Sequence, residues 1–227
     1  MERHQLHGII NTEITRPGPK LIARLAGHDA AKVADAMAGY GVAHHEIKPL
    51  RSDMRVCGPA VTVLTRPGDA LYVQRVIDLI QLGDVVVIDA GGYRDVSVIG
   101  ERLAYFMKLK GVAGIVVDGA IRDSAGIVAE GISTFCRSCC IRVFGSKGPG
   151  AINVPVTCGG VVVNPGDIVL GDCDGIVIVP REDAARIADL ADVHLAGELE
   201  RVKQIEAGGT VTEVFGLAAK LAAWEEK

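Results

Sequence analysis

The chain has 227 residues, enough for one sizeable hydrophobic core and too few for two. With 49% hydrophobic and 23% charged residues it has a globular composition and excludes a disordered one. A formal net charge of −4 argues against nucleic acid as a partner, because tracking a phosphate backbone needs a basic face.

Residues 1–18 read as an N-terminal arm: little periodicity, His4 and His7, then Pro17-Gly18-Pro19 as a breaker. The first residues lack an apolar run behind a charged segment. No window reaches the roughly 18 apolar residues of a membrane span. The expected setting is therefore cytoplasmic, with no membrane partner. A short helix is expected from Lys20 to Ala26, and Asp29 reads as the N-cap of a second, closed by Gly39 and Gly41. Val56 to Leu64 predicts a strand broken by Gly58-Pro59. Asp69, in the turn after Pro67-Gly68, is placed to cap the helix ALYVQRVIDLI.

VVVID at 85–89 is a continuous apolar run suited to a strand buried on both faces, with Gly91-Gly92 turning the chain after it. A helix is expected over about Ser97–Lys110 with Leu103, Phe106 and Met107 on one face. GIVVD (114–118) predicts a strand, then a turn at Gly119-Ala120 and a helix near 123–130. Ile132 to Phe144 holds one or two strands, and Gly145 to Gly150 reads as a flexible Gly-rich loop. The stretch 160–180 is β-rich, with turns at Asn164–Asp167 and Asp172–Gly175. Glu182 to Ala207 forms one long helix ended by Gly208-Gly209, with a short helix behind it.

Two β-α passages echo each other: VVVIDAGGYRD (85–95) and GIVVDGAIRD (114–123). Each ends in Arg-Asp beyond the carboxyl end of a strand, where α/β folds collect ligands and helix N-termini favour anions. Arg grips a carboxylate or carbonyl through two donors, and Asp offers a hard oxygen to a divalent cation. Arg94-Asp95 and Arg122-Asp123 are both candidates on these grounds, and in isolation either is more simply a helix cap. The six cysteines, including Cys136-x-x-Cys139, lack a second ligand pair at zinc-site spacing and are expected as reduced, mostly buried thiols. His44-His45 read as surface residues whose side chains point apart.

The blocks GPAVTV (58–63), RPGDAL (66–71), GDVVVID (83–89), GERLA (100–104), VVDGAIRD (116–123), NVPVTCGGVVVNPGD (153–167) and GDCDGIVIVP (171–180) add a resemblance. In order and spacing they are similar to the family that holds the regulator of ribonuclease activity A and the class II 4-hydroxy-4-methyl-2-oxoglutarate/4-carboxy-4-hydroxy-2-oxoadipate aldolases, over roughly 30–210. The aldolase branch carries an acidic residue, twenty intervening residues and then Arg-Asp. Glu101, residues 102–121 and Arg122-Asp123 match, with Glu where aldolases often show Asp.

The resemblance implies a single α/β domain over 19–227. This is an α-β-β-α sandwich related to swivelling domains, with helix 182–207 packing on a neighbouring subunit of a homotrimer or homohexamer. It implies retro-aldol cleavage of a 4-hydroxy-2-oxo diacid to pyruvate and a second 2-oxo acid, with oxaloacetate decarboxylation as a side activity. Asp123 would hold Mg²⁺ or another divalent metal such as Mn²⁺, with Glu101 and Glu198 of the partner subunit acting through water. Glu200 is the competitor for Glu198. Gly100, Glu101, Arg102 and Leu103 would cradle the pyruvyl carboxylate and Arg122 the C2 oxygen. The same resemblance permits a non-catalytic regulator that binds a ribonuclease, and it prefers Arg122-Asp123 over Arg94-Asp95. A Schiff-base route is disfavoured, because Lys108, Lys110 and Lys147 all fall outside apolar strands.

Overall fold

In the computed structural model, which describes residues 8–143 and 145–225, helices α1 (Pro19–Ala26) and α2 (Ala30–Ala36) precede the short strand β1 (Lys48–Pro49) and the long strand β2 (Val56–Thr65). Helix α3 (Leu71–Val76), running into a 3-10 turn, leads to β3 (Val85–Ile99). Next come α4 (Glu101–Leu109), β4 (Gly114–Ile121), α5 (Ser124–Ala129) and β5 (Thr134–Cys139). Short strands β6 (Gly150–Ile152), β7 (Val156–Cys158) and β8 (Val161–Val163) precede the hairpin β9 (Ile168–Asp172) and β10 (Gly175–Val179). The chain closes with α6 (Ala184–Glu206), α7 (Val211–Val214) and α8 (Leu217–Glu225).

The main sheet runs β1-β5-β4-β3-β2-β9-β10, with β6 also pairing β2 and with β7-β8 as a separate hairpin. Neighbours among β2, β3, β4 and β5 are parallel, and β9 lies antiparallel to β2. Side-chain alternation builds the layers. Val61, Val63, Val86, Ile88, Ile115 and Val117 face α3, α4 and α5. Their neighbours Ala60, Val85, Val87 and Val116 pack against Val169, Ile176 and Ile178 of the hairpin. From the hairpin's other face, Ile168, Leu170, Val177 and Val179 meet α1, α2 and α6. The result is an α-β-β-α sandwich with a long C-terminal helix.

Several local expectations give way to tertiary structure. Gly58-Pro59 does not break β2. There the strand changes partners, from β9 at Val56–Pro59 to β3 at Ala60–Leu64, and a missing amide is tolerated at the changeover. Gly91-Gly92 and Gly119-Ala120 do not turn the chain either. β3 continues to Ile99 through bulges between Asp89 and Ile99, and β4 runs on to Ile121, so α4 begins only at Glu101. On α4, Ala104 and Met107 are core while Phe106 is 56% exposed, so Phe106 does not share their face. Asp29 stands at the N-cap of α2 but pairs with Arg55 at 3.0 Å; the Ala30 amide donates to Asp172 Oδ2 instead, at 2.8 Å.

Asp69 behaves as expected, accepting from the Leu71 amide at 3.0 Å. It also fastens the Gly-rich loop, whose Lys147 and Gly148 amides donate to Asp69 Oδ2 at 2.9 Å each.

Of the N-terminal arm, residues 1–7, with His4 and His7, lie outside the described residues, as does Phe144. From Gly8 onward the arm lies along β6: Ile10 bridges Ile152, and Asn11 and Asn153 exchange side-chain bonds to each other's carbonyls. Arg16 then clamps the buried Asp84 with two bonds of 2.8 and 2.9 Å. Among the described residues, no helix is long and apolar enough to cross a membrane.

Candidate active site

The two echoing passages meet side by side, because Asp89 and Asp118 are register partners on β3 and β4. Both are buried and both hold the same neighbouring strand. Asp89 accepts from the Thr157 amide at 3.0 Å, and Asp118 accepts from the Gly159 amide at 2.7 Å and from Arg137. Half of the repeat is therefore a structural clamp on β7.

The Arg-Asp pairs that follow diverge. Arg94 lies in the bulged part of β3 and pairs with Glu46, which also accepts from Arg137 at 2.8 Å. Arg122 and Asp123 instead stand at the join of β4 and α5, beside the N-terminus of α4. They share a cavity of about 390 Å³ with Gly100, Arg102 and Leu103.

Asp123 carries left-handed backbone angles (φ 57°, ψ 35°) and makes no side-chain cap to its own helix. Its Oδ2 lies 3.3 Å from Arg122 Nε, and the two side chains are 44% and 34% exposed. The carboxylate lies over Gly100, where a Cβ would overlap Asp123 Oδ2 and press on Arg122. The Glu101, Arg102 and Leu103 amides belong to the first turn of α4, which has no intrahelical acceptors for them and no side-chain cap.

Glu101 is not among the cavity-lining residues; its carboxylate lies against Gly126, where a Cβ would overlap it. Glu198 borders a different depression and pairs with Lys32 at 3.4 Å, while Glu200 pairs with Lys203 at 3.3 Å. The structure of one chain thus gathers Gly100, Arg102, Leu103, Arg122 and Asp123, and leaves Glu101 beside them and Glu198 apart.

Three further segments complete the walls, with Gln74 from α3, Ser97 from the end of β3, and Val143 with Ser146 beyond β5, and α4 adds Phe106. Sequence reasoning missed these. The one available signal was Phe106, four residues after Arg102 and so on the same helix face.

A larger depression of about 810 Å³ lies beside residues 10–15, but its Arg181 is occupied by Glu182 and the Pro165 carbonyl. The chemistry favours the smaller cavity.

The remaining candidates fall outside it. His44 and His45 are exposed as expected, yet their rings lie against each other at 4.4 Å rather than pointing apart. Desolvation, His45 and Arg137 hold His44 below the usual imidazole range, which suits a neutral ring beside a cation. The six cysteines are free thiols, but only Cys136 and Cys158 are buried, whereas Cys139 and Cys173 are exposed. Burial pushes the Cys57 and Cys136 thiols up to about 12, so neither is a nucleophile at neutral pH. None of Lys108, Lys110 and Lys147 lines the cavity.

The α/β domain thus brings a guanidinium, the carboxylate paired with it and uncapped helix amides to one cavity, a set of groups whose chemistry suits a small anionic ligand. The sequence profile of the RraA-like family, described as Aldolase/RraA, matches residues 30–178, and the chain belongs to that family. It is 38% identical over 173 residues to a Halalkalibacterium halodurans protein named "Putative 4-hydroxy-4-methyl-2-oxoglutarate aldolase", spanning 76% of this chain and 82% of that one. Among solved structures, Streptomyces coelicolor RraAS2, described as an unusual member of the RNase ES inhibitor RraA protein family, superposes with a TM-score of 0.73. It is 33% identical and covers 83% of this chain and 99% of its own. An uncharacterized protein from Pseudomonas syringae superposes with a TM-score of 0.77 at 25% identity, over 88% of this chain and 99% of its own.

Proposed function

We propose that this chain is a divalent-metal-dependent aldolase that cleaves a 4-hydroxy-2-oxo diacid to pyruvate and a second 2-oxo acid, and that it decarboxylates oxaloacetate as a side reaction. The observation that carries this reading is the Asp123 carboxylate, turned into a cavity and unclaimed by its own helix. Aldolase naming of a 38% identical relative supports it.

The donor set suits Mg²⁺ or Mn²⁺, since Mg²⁺ keeps several waters and needs only one or two protein carboxylates. Asp123 would be the direct ligand. Among the described residues, no group of three closely placed metal-binding side chains includes Asp123. Further contacts would thus come through water, from Glu101 and from Glu198 of the partner subunit. A bound dication supplies Lewis-acid polarisation of the 2-oxo group.

The chain's own groups do the rest. The Glu101–Leu103 amides hold the pyruvyl carboxylate, and Arg122 donates to the C2 oxygen. When a water oriented by Arg122 takes the C4 hydroxyl proton, C4 becomes the carbonyl of the second 2-oxo acid, the C3–C4 bond breaks and its electron pair moves into the C2–C3 bond, leaving negative charge on the C2 oxygen. Arg122 is aimed at that growing charge, and one such donor is typically worth about 3 kcal/mol. Protonation at C3 then releases pyruvate.

We further propose that the protein works as a homotrimer or homohexamer. Beyond the buried Ala184, Ile187, Ala188 and Ala191 at its start, α6 and the segments after it expose Val193, Leu199, Val202, Ile205, Phe215 and Trp224. Exposed apolar patches of this kind mark protein interfaces.

Pyruvate release from 4-hydroxy-4-methyl-2-oxoglutarate, with and without Mg²⁺, tests the reaction. Activity is expected to vanish in EDTA and to fall at least about 100-fold in Asp123→Asn. Full activity in Asp123→Asn would reject the site. Absence of turnover of any 2-oxo acid would favour a ribonuclease-binding role, the other activity named among the relatives.

A further inference from the structure

The cavity holds two guanidiniums and one carboxylate, and the two arginines are not equivalent. Arg122 is engaged with Asp123 at 3.3 Å. Arg102 makes no hydrogen bond or ion pair with any described residue, whereas Arg66 and Arg94, both outside the cavity, have carboxylate partners. Its position is also unfavourable for the helix, because a cation in the first turn of α4 opposes the helix dipole. An anion in the cavity would relieve both conditions.

Exposure orders the cavity from floor to mouth. Ser97, Val98 and Ile99 are almost fully buried, Arg122 and Asp123 are partly exposed, and Phe106 and Val143 at 56% and 47% form an apolar rim. Arg102 is exposed and lies one helical turn before Phe106, on the same face, which puts it at the rim. A ligand with its 2-oxo end at Asp123 and Arg122 would extend toward this rim. A guanidinium there matches a second carboxylate in two-pronged geometry, and the flanking apolar side chains strengthen the pairing by displacing water.

We infer that Arg102 selects the distal carboxylate of the substrate, so that the site takes 2-oxo diacids in preference to monoacids of the same length. The inference rests on the aldolase reading for which end of the ligand sits at Asp123. It gives the Arg102 side chain a task separate from that of its backbone amide.

Calorimetric binding of 2-oxoglutarate and of 2-oxopentanoate in Mg²⁺, to the unsubstituted protein and to Arg102→Leu and Arg102→Lys, tests it without requiring turnover. The unsubstituted protein is expected to prefer the diacid by at least about tenfold, the scale of one charge-assisted pair. Arg102→Leu should abolish that preference by weakening the diacid far more than the monoacid, and Arg102→Lys should retain part of it. An unchanged preference in Arg102→Leu, or equal weakening of both ligands, would overturn the inference. If neither ligand binds the unsubstituted protein, this inference and the aldolase reading fall together. Diacid preference lost in Arg102→Leu, combined with no pyruvate from any hydroxy-oxo acid, would sink the aldolase reading and leave the selection standing. Because Arg102 has no partner to lose among the described residues and opposes the α4 dipole, the thermal midpoint of Arg102→Leu should equal or slightly exceed that of the unsubstituted protein.

Discussion

Asp123 occupies the left-handed region of backbone space, which Asn and Asp tolerate better than other side chains. Asp123→Asn therefore removes the charge while keeping the backbone, and its effect reads the carboxylate alone. Gly100 complements it. Its φ of −135° is open to any residue, so the need for glycine there is spatial. A Cβ would occupy the place of Asp123 Oδ2. Gly100→Ala is expected to leave the thermal midpoint nearly unchanged and to lower pyruvate release about 100-fold, the usual cost of a 1 Å displacement of a reacting group. Kinetics at saturating Mg²⁺ check this, and wild-type activity in Gly100→Ala would mean that Asp123 works from another position.

At the scale of elements, the turn before α3 does two things with one side chain. Asp69 is 1% exposed, caps α3 through the Leu71 amide and holds the Lys147 and Gly148 amides, which fixes the loop carrying Ser146 at the cavity wall. Burial pushes the Asp69 carboxyl up, but the three amides and Arg66 outweigh it and hold the group below the usual carboxylate range. A lowered folded pKa contributes stability that is present above the unfolded value and lost as pH falls through the folded one. Asp69→Asn is thus expected to cost about 2 kcal/mol at pH 7. The gap between the two proteins should narrow below about pH 4, the unfolded carboxylate value. Urea unfolding of both proteins at pH 7 and pH 3 measures it, and a gap that widens in acid would contradict the assignment.

The cap role of Asp69 was legible in the sequence, because Asp two residues before an apolar helical run is a local signal. Its hold on a loop 78 residues away was not, since nothing local encodes that meeting. The bulged course of β3 was hidden for a related reason. Gly91-Gly92 is turn chemistry in isolation, but β4 lies alongside and continues to supply ladder partners.

At the scale of the whole molecule, the first half of α6 packs on α1 and α2, and the rest of the helix leaves apolar side chains open. Val202→Glu combined with Phe215→Glu would place charge on that surface without touching the core. If assembly completes the site, sedimentation is expected to show monomers and lyase activity to fall together, through loss of Glu198 of the partner subunit. Full activity in a monomeric variant would remove Glu198 from the mechanism. Within one chain Glu198 meets Lys32, 3.4 Å away, and does not border the cavity of Asp123.

The sequence by itself determined the mixed α/β class, the buried strands at 85–89 and 114–118 and the long helix expected over 182–207. Each of these follows from hydrophobic period, end signals or ordered motifs, which are written in neighbouring residues. Only the tertiary structure decided that Asp89 and Asp118 clamp β7 while Asp123 leaves its own helix uncapped and meets Arg122, that Glu101 lies against Gly126, and that Arg102 has no partner among the described residues. Those outcomes depend on which side chains from distant segments arrive at the same place, and a carboxylate or guanidinium acquires its role from whatever charge or amide meets it there.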